Sequence, residues 1–235
     1  MALNNCSDRL LFSVVMPVYN GEKFIEEAIK SVYEDKYDSF ELIVIDDGSV
    51  DETAKIVKSF SGIGYYYQEN TGVASARNKG IDMATGDIIS FLDSDDIWEK
   101  GRFEKTADFF KKHPETDYLL GEACHFLESG CEKPASMQAK WFAGAQLTYG
   151  TCVLSVRKKA FHVAGLFNEN YITGEDLEWF LRAKKAGLHE GRLEYPVIKR
   201  RIHGQNLTLT KSTADKKHIF QMIRDNTNRK RLHGE

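Results

Sequence analysis

FSVVMPVYNGEKFIEEAIKSVYEDKYDSFELIVIDDGS, residues 12–49, decides the fold of this chain. It opens with a run of about five buried-strand residues that Pro17 ends, and ELIVI repeats the pattern before Asp46, Asp47 and Gly48 stop it. Both runs are apolar at successive positions rather than alternate ones, which suits strands covered on both faces. Between them Phe24, Ile25, Ala28, Ile29, Val32 and Tyr33 recur at helical spacing, with Asn20 expected as the N-cap. Two such strands joined by a helix run parallel in one sheet.

The same alternation continues outward. DETAKIVKSF (51–60) predicts a helix, IGYYYQEN (63–70) a strand, GVASARNKGIDMA (72–84) a helix and GDIISFLDSDD (86–96) a fourth strand. Helices on both faces of a mostly parallel central sheet, an α/β fold, follow from this order. Beyond residue 98 the pattern loosens. RFEKTADFFKKH (102–113) reads as a helix ending before Pro114, TDYLLGEACHFLES (116–129) as one or two strands, and 130–147 as a loop-rich insertion. TYGTCVLSV (148–156) reads as a strand, GEDLEWFLRAKKAG (174–187) as a helix closed by Gly187, and LEYPVIKRRIHG (193–204) as a last strand. One compact unit with two lobes is expected, in segments 1–97, 98–210 and a basic tail 211–235.

Composition narrows the class. The chain has 235 residues, 42% hydrophobic and 29% charged, which excludes disordered and collagen-like classes. A net charge of −3 gives no sign of a nucleic-acid partner. The tail is locally basic, with Lys211, Lys216, Lys217, Arg224, Arg229, Lys230 and Arg231 against three acids. It is either a solvated helix face, a peripheral contact with an anionic membrane surface, or a homodimer contact. Cys6, Cys124, Cys131 and Cys152 lack zinc spacing and read as free thiols in a reducing compartment, a Cys124–Cys131 disulfide being the lesser alternative. The start lacks the basic and apolar regions of a signal peptide, and no segment approaches the roughly 20 apolar residues of a membrane span. The expectation is a cytoplasmic protein, if membrane-associated then only peripherally, at the inner face.

The carboxylates carry the chemistry. Asp46 and Asp47 end one strand, and Asp93, Asp95 and Asp96 follow another. Open parallel sheets bind ligands at the carboxyl ends of their strands, so these acids are expected to line one crevice. No glycine-rich phosphate loop is present. Clustered acids without such a loop suggest a hard divalent cation, Mg²⁺ or Mn²⁺, sharing its shell with substrate phosphates. On this reading the acids' positive partner is imported with the substrate rather than supplied by the chain, and the loop is unsettled without it.

SVVMPVYN, LIVIDDGSVDET, ENTGVASARNKGID, ATGDIISFLDSDD and GEDLEW, in this order and spacing, resemble the family 2 glycosyltransferases of GT-A fold over roughly residues 12–205. The resemblance implies a metal-dependent transfer of sugar from a nucleotide diphosphate donor, expected to be a UDP-sugar, to an acceptor hydroxyl with inversion. Segment 1–97 would then be the nucleotide-sugar half and 98–210 the acceptor half. Pro17, Val18 and Tyr19 would line the base pocket and Asp47 would bond the base edge. Asn70 and Arg77 would border the nucleotide, and Asp93 with Ser94 would contact the donor. Asp95 would ligate the metal, with Asp93 in or beside its shell and His203 meeting metal or diphosphate. Arg201 would pair with phosphate oxygens. Asp176 would be the general base and Glu175 would orient the acceptor, which could be a glycan, a lipid-linked sugar, a protein or a small molecule. Trp179 is a sugar wall or a core residue, Asp96 a ligand or a helix N-cap, and Trp141 with Phe142 stand in the insertion where relatives bind acceptors. The rival readings are a sugar nucleotidyltransferase and a nucleotide-sugar-binding domain without catalysis.

Overall fold

A computed structural model describes residues 9–204 and 206, apart from 136 and 172; the tail expected at 211–235 and Cys6 lie outside the described residues. β1 (Phe12–Val18), α1 (Ile25–Tyr33), β2 (Phe40–Asp47), α2 (Thr53–Lys58), β3 (Ile63–Gln68), α3 (Val73–Met83) and β4 (Ile88–Phe91) form the expected alternating half. There follow β5 (Ile97–Trp98), α4 (Arg102–Lys112), β6 (Tyr118–Leu127), β7 (Gln146–Leu147), β8 (Leu154–Arg157), α5 (Lys158–Ala164), α6 (Glu175–Lys185) and β9 (Glu190–Ile202).

All the strands join one sheet in the order β3-β2-β1-β4-β8-β6-β9-β5, with β7 on β6. The first four are mutually parallel. β8 then runs antiparallel to β4 and β6, and β9 runs parallel to β6. The carboxyl ends of β1, β2, β4, β6 and β9 therefore point the same way, and the acids that end β2 and those that follow β4 share an end with His203 after β9. The stretch 116–129 folds as a single strand, irregular in its register with β9 between Leu120 and Ala123.

β1, β2 and β4 are almost wholly buried, as their unbroken apolar runs require. α3 lies hard against β1: a Cβ on Gly80 would come within 2.3 Å of Val15 Cγ1, so a side chain there would push helix and sheet apart. Phe12, Tyr37, Phe40, Trp98 and Phe103 pack as an aromatic cluster between the sheet and α4.

Neither Asn20 nor Asp96 caps a helix. Asn20 does not cap α1; with φ 50° it sits in a left-handed turn and its Oδ1 accepts the Val50 N–H at 2.9 Å. Asp96 does not cap a helix either, because β5 follows it and α4 begins only after Gly101. Asp35 does that work from the end of α1, accepting the N–H groups of Gly101 and of Phe103 (3.0 Å) and the Trp98 indole N–H (2.9 Å).

Candidate active site

The loops after β1, β2 and β3 are tied into one rim. Asn20 N–H donates to Ser49 Oγ at 2.9 Å, joining the first two. Gly48, at φ 87°, leaves room for the backbone of Asn70; a Cβ there would stand 2.9 Å from Asn70 N. Pro17 and Val18 are buried and Tyr19 is 55% exposed, so of these three only the tyrosine ring faces outward on the rim.

The two acids of β2 divide their work. Asp46 is buried, accepting the Ser49 N–H at 2.8 Å and the Tyr65 hydroxyl at 2.7 Å. Asp47 is also buried and accepts the N–H groups of Thr71 and Gly72, both at 2.9 Å, and the Gln68 amide at 2.8 Å. Gly72 precedes α3 and has no side chain of its own to cap it, so Asp47 fastens that helix end to the sheet.

The acids after β4 have positive partners within the chain, contrary to the sequence expectation. The buried Arg77 guanidinium, from α3, donates to Asp93 Oδ1 at 2.8 Å and to Glu175 Oε1 at 2.5 Å. Arg77 is thus a bridge between two acidic residues, and its charged form is further favoured by those carboxylates despite its burial. Arg200 on β9 brings a second positive charge, which interacts with Cys152, Asp96, Asp93 and Asp95. The loop closes a turn, with Asp96 N–H donating to Asp93 C=O at 3.0 Å. Ser94 packs beside Gly21, 3.4 Å from where a Cβ would stand.

Asp95 and Asp96 differ sharply. Asp96 is 2% exposed; its Oδ1 accepts the Arg201 N–H at 2.8 Å, while its Oδ2 is buried with no hydrogen bond among the described residues. Burial, then the charges of Asp95 and Asp93, hold its carboxyl well above the usual carboxylate range. Asp95 Oδ2 instead meets His203 Nε2 at 2.9 Å and the Asn206 amide at 3.2 Å.

Arg201, expected to meet phosphate, is committed to the protein. Its Nε donates to Asp95 C=O at 2.9 Å, and its two terminal nitrogens pair with Glu27 (2.5 Å) and Glu128. The guanidinium is also in ring contact with Phe24 and Phe126, at 4.7 and 4.8 Å. It is 5% exposed and joins α1, β6 and β9 behind the acidic loop.

Gly174, at φ 79°, turns the chain into α6 and sets Glu175 and Asp176 in its first turn. Asp176 Oδ1 accepts the Leu177 N–H at 2.7 Å, and its Oδ2 lies 3.8 Å from where a Cβ on Gly150 would stand. Desolvation and the Glu175 charge push the Asp176 carboxyl up to about 6, with Arg77 opposing them. Trp179 is a core residue and not a sugar wall: it is fully buried against Tyr118, Phe161, Phe167 and Phe180, its indole N–H bonded to Gly165 C=O at 2.9 Å. Trp141 and Phe142 are half-buried on a single 3₁₀ turn, Trp141 edge-on to His125 with ring centroids 5.2 Å apart.

Among the described residues two groups of side chains could hold a metal, and they differ in fit. Ligand atoms of Asp93, Asp96 and Cys152 lie within 4.8 Å of one another. There the thiol is pushed up to about 12, first by burial, and Arg200 already brings positive charge to the group. A neutral thiol suits a hard cation poorly, so this group reads as a charge-compensated core. Asp95 and His203 fit better, because a carboxylate oxygen and an imidazole nitrogen already converge from opposite loops. A cavity of about 420 Å³ opens beside them, lined by His203, Gly204, Cys131, Glu132 and Pro134.

Two residues and one long-range link escape sequence reading. Arg200 sits next to a residue that was singled out, with only strand alternation to distinguish them. Asn206 carries no motif of its own, and the link from Arg77 to Glu175 spans 98 positions.

Comparison with known proteins bears on the family and the fold. The model of the glycosyl transferase family 2 domain matches residues 13–153. An uncharacterized glycosyltransferase of Rickettsia conorii is 31% identical over 210 residues, 83% of this chain and 34% of that protein. The minor teichoic acid biosynthesis protein GgaB of Bacillus subtilis is 38% identical over 168 residues, 68% of this chain and 18% of that one. The chain therefore spans about a third or less of the length of these relatives. Staphylococcus aureus TarS 1–349, solved in complex with UDP-GlcNAc, superposes with a TM-score of 0.70 at 23% identity, covering 87% of this chain and 62% of that one. The fold is accordingly GT-A, and the match over residues 13–153, more than half the chain, shows that it belongs to glycosyltransferase family 2.

Proposed function

We propose that this chain is the catalytic module of an inverting glycosyltransferase that takes its sugar from a UDP-sugar and passes it to an acceptor hydroxyl. One observation carries the reading: Asp176 has one oxygen committed to Leu177 N–H and the other facing Gly150, beside an Arg77 bridge that ties Glu175 to Asp93. In this reading the buried Arg77 guanidinium would hold the base site and the strand-end donor site at fixed separation.

In this reading Tyr19, Asp47, Asn70 and Ser94 border the nucleotide, and Asp93 faces the donor from the Arg77 bridge. Asp95 and His203 would hold a divalent cation, Mn²⁺ or Mg²⁺, whose contribution when bound is to offset the negative charge of the diphosphate. Asp176, with a carboxyl at about 6, is ionised at neutral pH yet basic enough to accept a proton. The acceptor oxygen bonds to the anomeric carbon, its proton passes to Asp176, and UDP departs with the electron pair of the breaking C–O bond. A single displacement inverts the anomeric centre. Glu175, held by Arg77, fixes the helix turn from which Asp176 acts.

The acceptor belongs to the half after residue 98, and a cell-surface polysaccharide is the acceptor class proposed, in line with the teichoic acid role in GgaB's name. Among the described residues no helix is long and apolar enough to cross a membrane, and Cys124, Cys131 and Cys152 are free thiols. We place the reaction in a reducing, cytoplasmic setting on that account. A thermal-shift screen of UDP-, GDP- and dTDP-sugars with Mn²⁺ tests the donor. UDP-sugars are expected to raise the melting temperature most; no response to any nucleotide sugar would remove the reading.

A further inference from the structure

Asp95 and His203 come from opposite sides of the crevice, one after β4 and one after β9, 108 positions apart. Something must hold the two loops in register if both are to face one cation, and Asn206 has the geometry to do so. Its Oδ1 accepts the His203 N–H at 2.6 Å, and its Nδ2 donates to Arg201 C=O at 3.0 Å and to Asp95 Oδ2 at 3.2 Å. The backbone closes the same turn, Asn206 N–H donating to His203 C=O at 3.3 Å. The side chain is 6% exposed, so these bonds form away from competing water.

An amide is the group this position demands. It must present one acceptor to a backbone N–H and two donors to a carbonyl and a carboxylate, which a primary amide does and a hydroxyl or carboxylate does not. Arg201 anchors the arrangement from behind, its N–H on Asp96, its Nε on Asp95 C=O and its own C=O on Asn206.

We propose that Asn206 is the positioning residue of the cation site: it fixes the Asp95 carboxylate and the His203 backbone in the relative placement a divalent ion needs, without contacting the donor. The inference rests on the metal-dependent reading above. Residues that orient metal ligands typically change metal affinity by about 10- to 100-fold when lost.

The test is calorimetric titration of UDP into wild-type, Asn206→Ala and Asn206→Leu protein, each with and without Mn²⁺, beside a melting curve for each. Leucine keeps the volume and removes the hydrogen bonds. In wild type, Mn²⁺ is expected to tighten UDP binding. In Asn206→Leu that gain should fall by about tenfold or more, while metal-free UDP affinity and the cooperative melting transition persist. If Asn206→Leu keeps the full Mn²⁺ gain, Asn206 is a packing residue and the inference fails alone. Loss of metal-free UDP binding as well, in a variant that still melts cooperatively, would equally overturn it, because the effect would not be confined to the cation. If wild type itself shows no Mn²⁺ gain, the metal-dependent reading falls and takes this inference with it.

Discussion

Replacing Asp176 by Asn should make the protein more stable while removing its proposed base, and the gain should depend on pH. The Asp176 carboxyl ionises at about 6 in the folded chain, against an ordinary value of 3.8. The folded state therefore holds this proton more tightly than the unfolded chain does. Below about pH 4 both states are protonated and the carboxyl costs nothing. Between about 4 and 6 the unfolded chain releases the proton first, and folding stability falls with rising pH. Above about 6 the whole penalty is present: the gap between 3.8 and about 6, at about 1.4 kcal/mol per pH unit, comes to about 3 kcal/mol. The amide of Asn can still accept the Leu177 N–H at Oδ1, so the local turn survives the change. For a chain of this length, about 3 kcal/mol corresponds to a rise in melting temperature of roughly 6–12 °C. Melting curves of both proteins at pH 4 to 8.5, without metal or nucleotide, check this. A variant no more stable than wild type at pH 8, or a difference that does not change with pH, would refute the claim that burial and the Glu175 charge hold the Asp176 carboxyl up.

Two further perturbations address the supports of the site. Arg77→Met leaves Glu175 and Asp93 without their shared cation; breaking a buried pair this way costs about 3–5 kcal/mol, and a melting temperature within a degree or two of wild type would contradict the bridge. Trp179→Ala should cost about 3–5 kcal/mol as a core deletion, yet leave UDP affinity intact at temperatures where the variant is folded. Normal stability combined with lost sugar transfer would instead return Trp179 to the sugar site.

The alternating half was legible because its information is local. Continuous apolar runs at Val14–Met16 and Leu42–Ile45, separated by an amphipathic helix, dictate buried parallel strands wherever they occur. The acids at their ends then reach one crevice by topology alone. What the sequence concealed lies in pairs distant along the chain. Asp35 caps a helix that starts after Gly101, Asp47 caps one that starts after Gly72, and Arg77 reaches Asp93 and Glu175 together. No spacing rule links such partners. Sequence proximity therefore favours Asn20 as the cap of α1 and offers Asp96 as one of two alternatives, and neither caps a helix.

The acidic cluster shows the same limit. Three aspartates in four positions suggest an imported charge, because Arg77 and Arg200, which bring positive charge to them, lie in other elements. Strand alternation on β9 sends Arg200 toward the acids and Arg201 to the opposite side, where it clamps α1 to β6. The cluster is thus largely compensated from within, and Asp95 has the side chains of His203 and Asn206 as its partners among the described residues.

The most direct test of the account is the pH dependence of UDP release from a UDP-sugar, with water standing in for the acceptor. The account predicts slow release that needs Mn²⁺ or Mg²⁺, rises through about pH 6 as Asp176 ionises, and disappears in Asp176→Asn while UDP still binds. Release that persists in that variant, or that is flat between pH 5 and 8, would contradict Asp176 as the base.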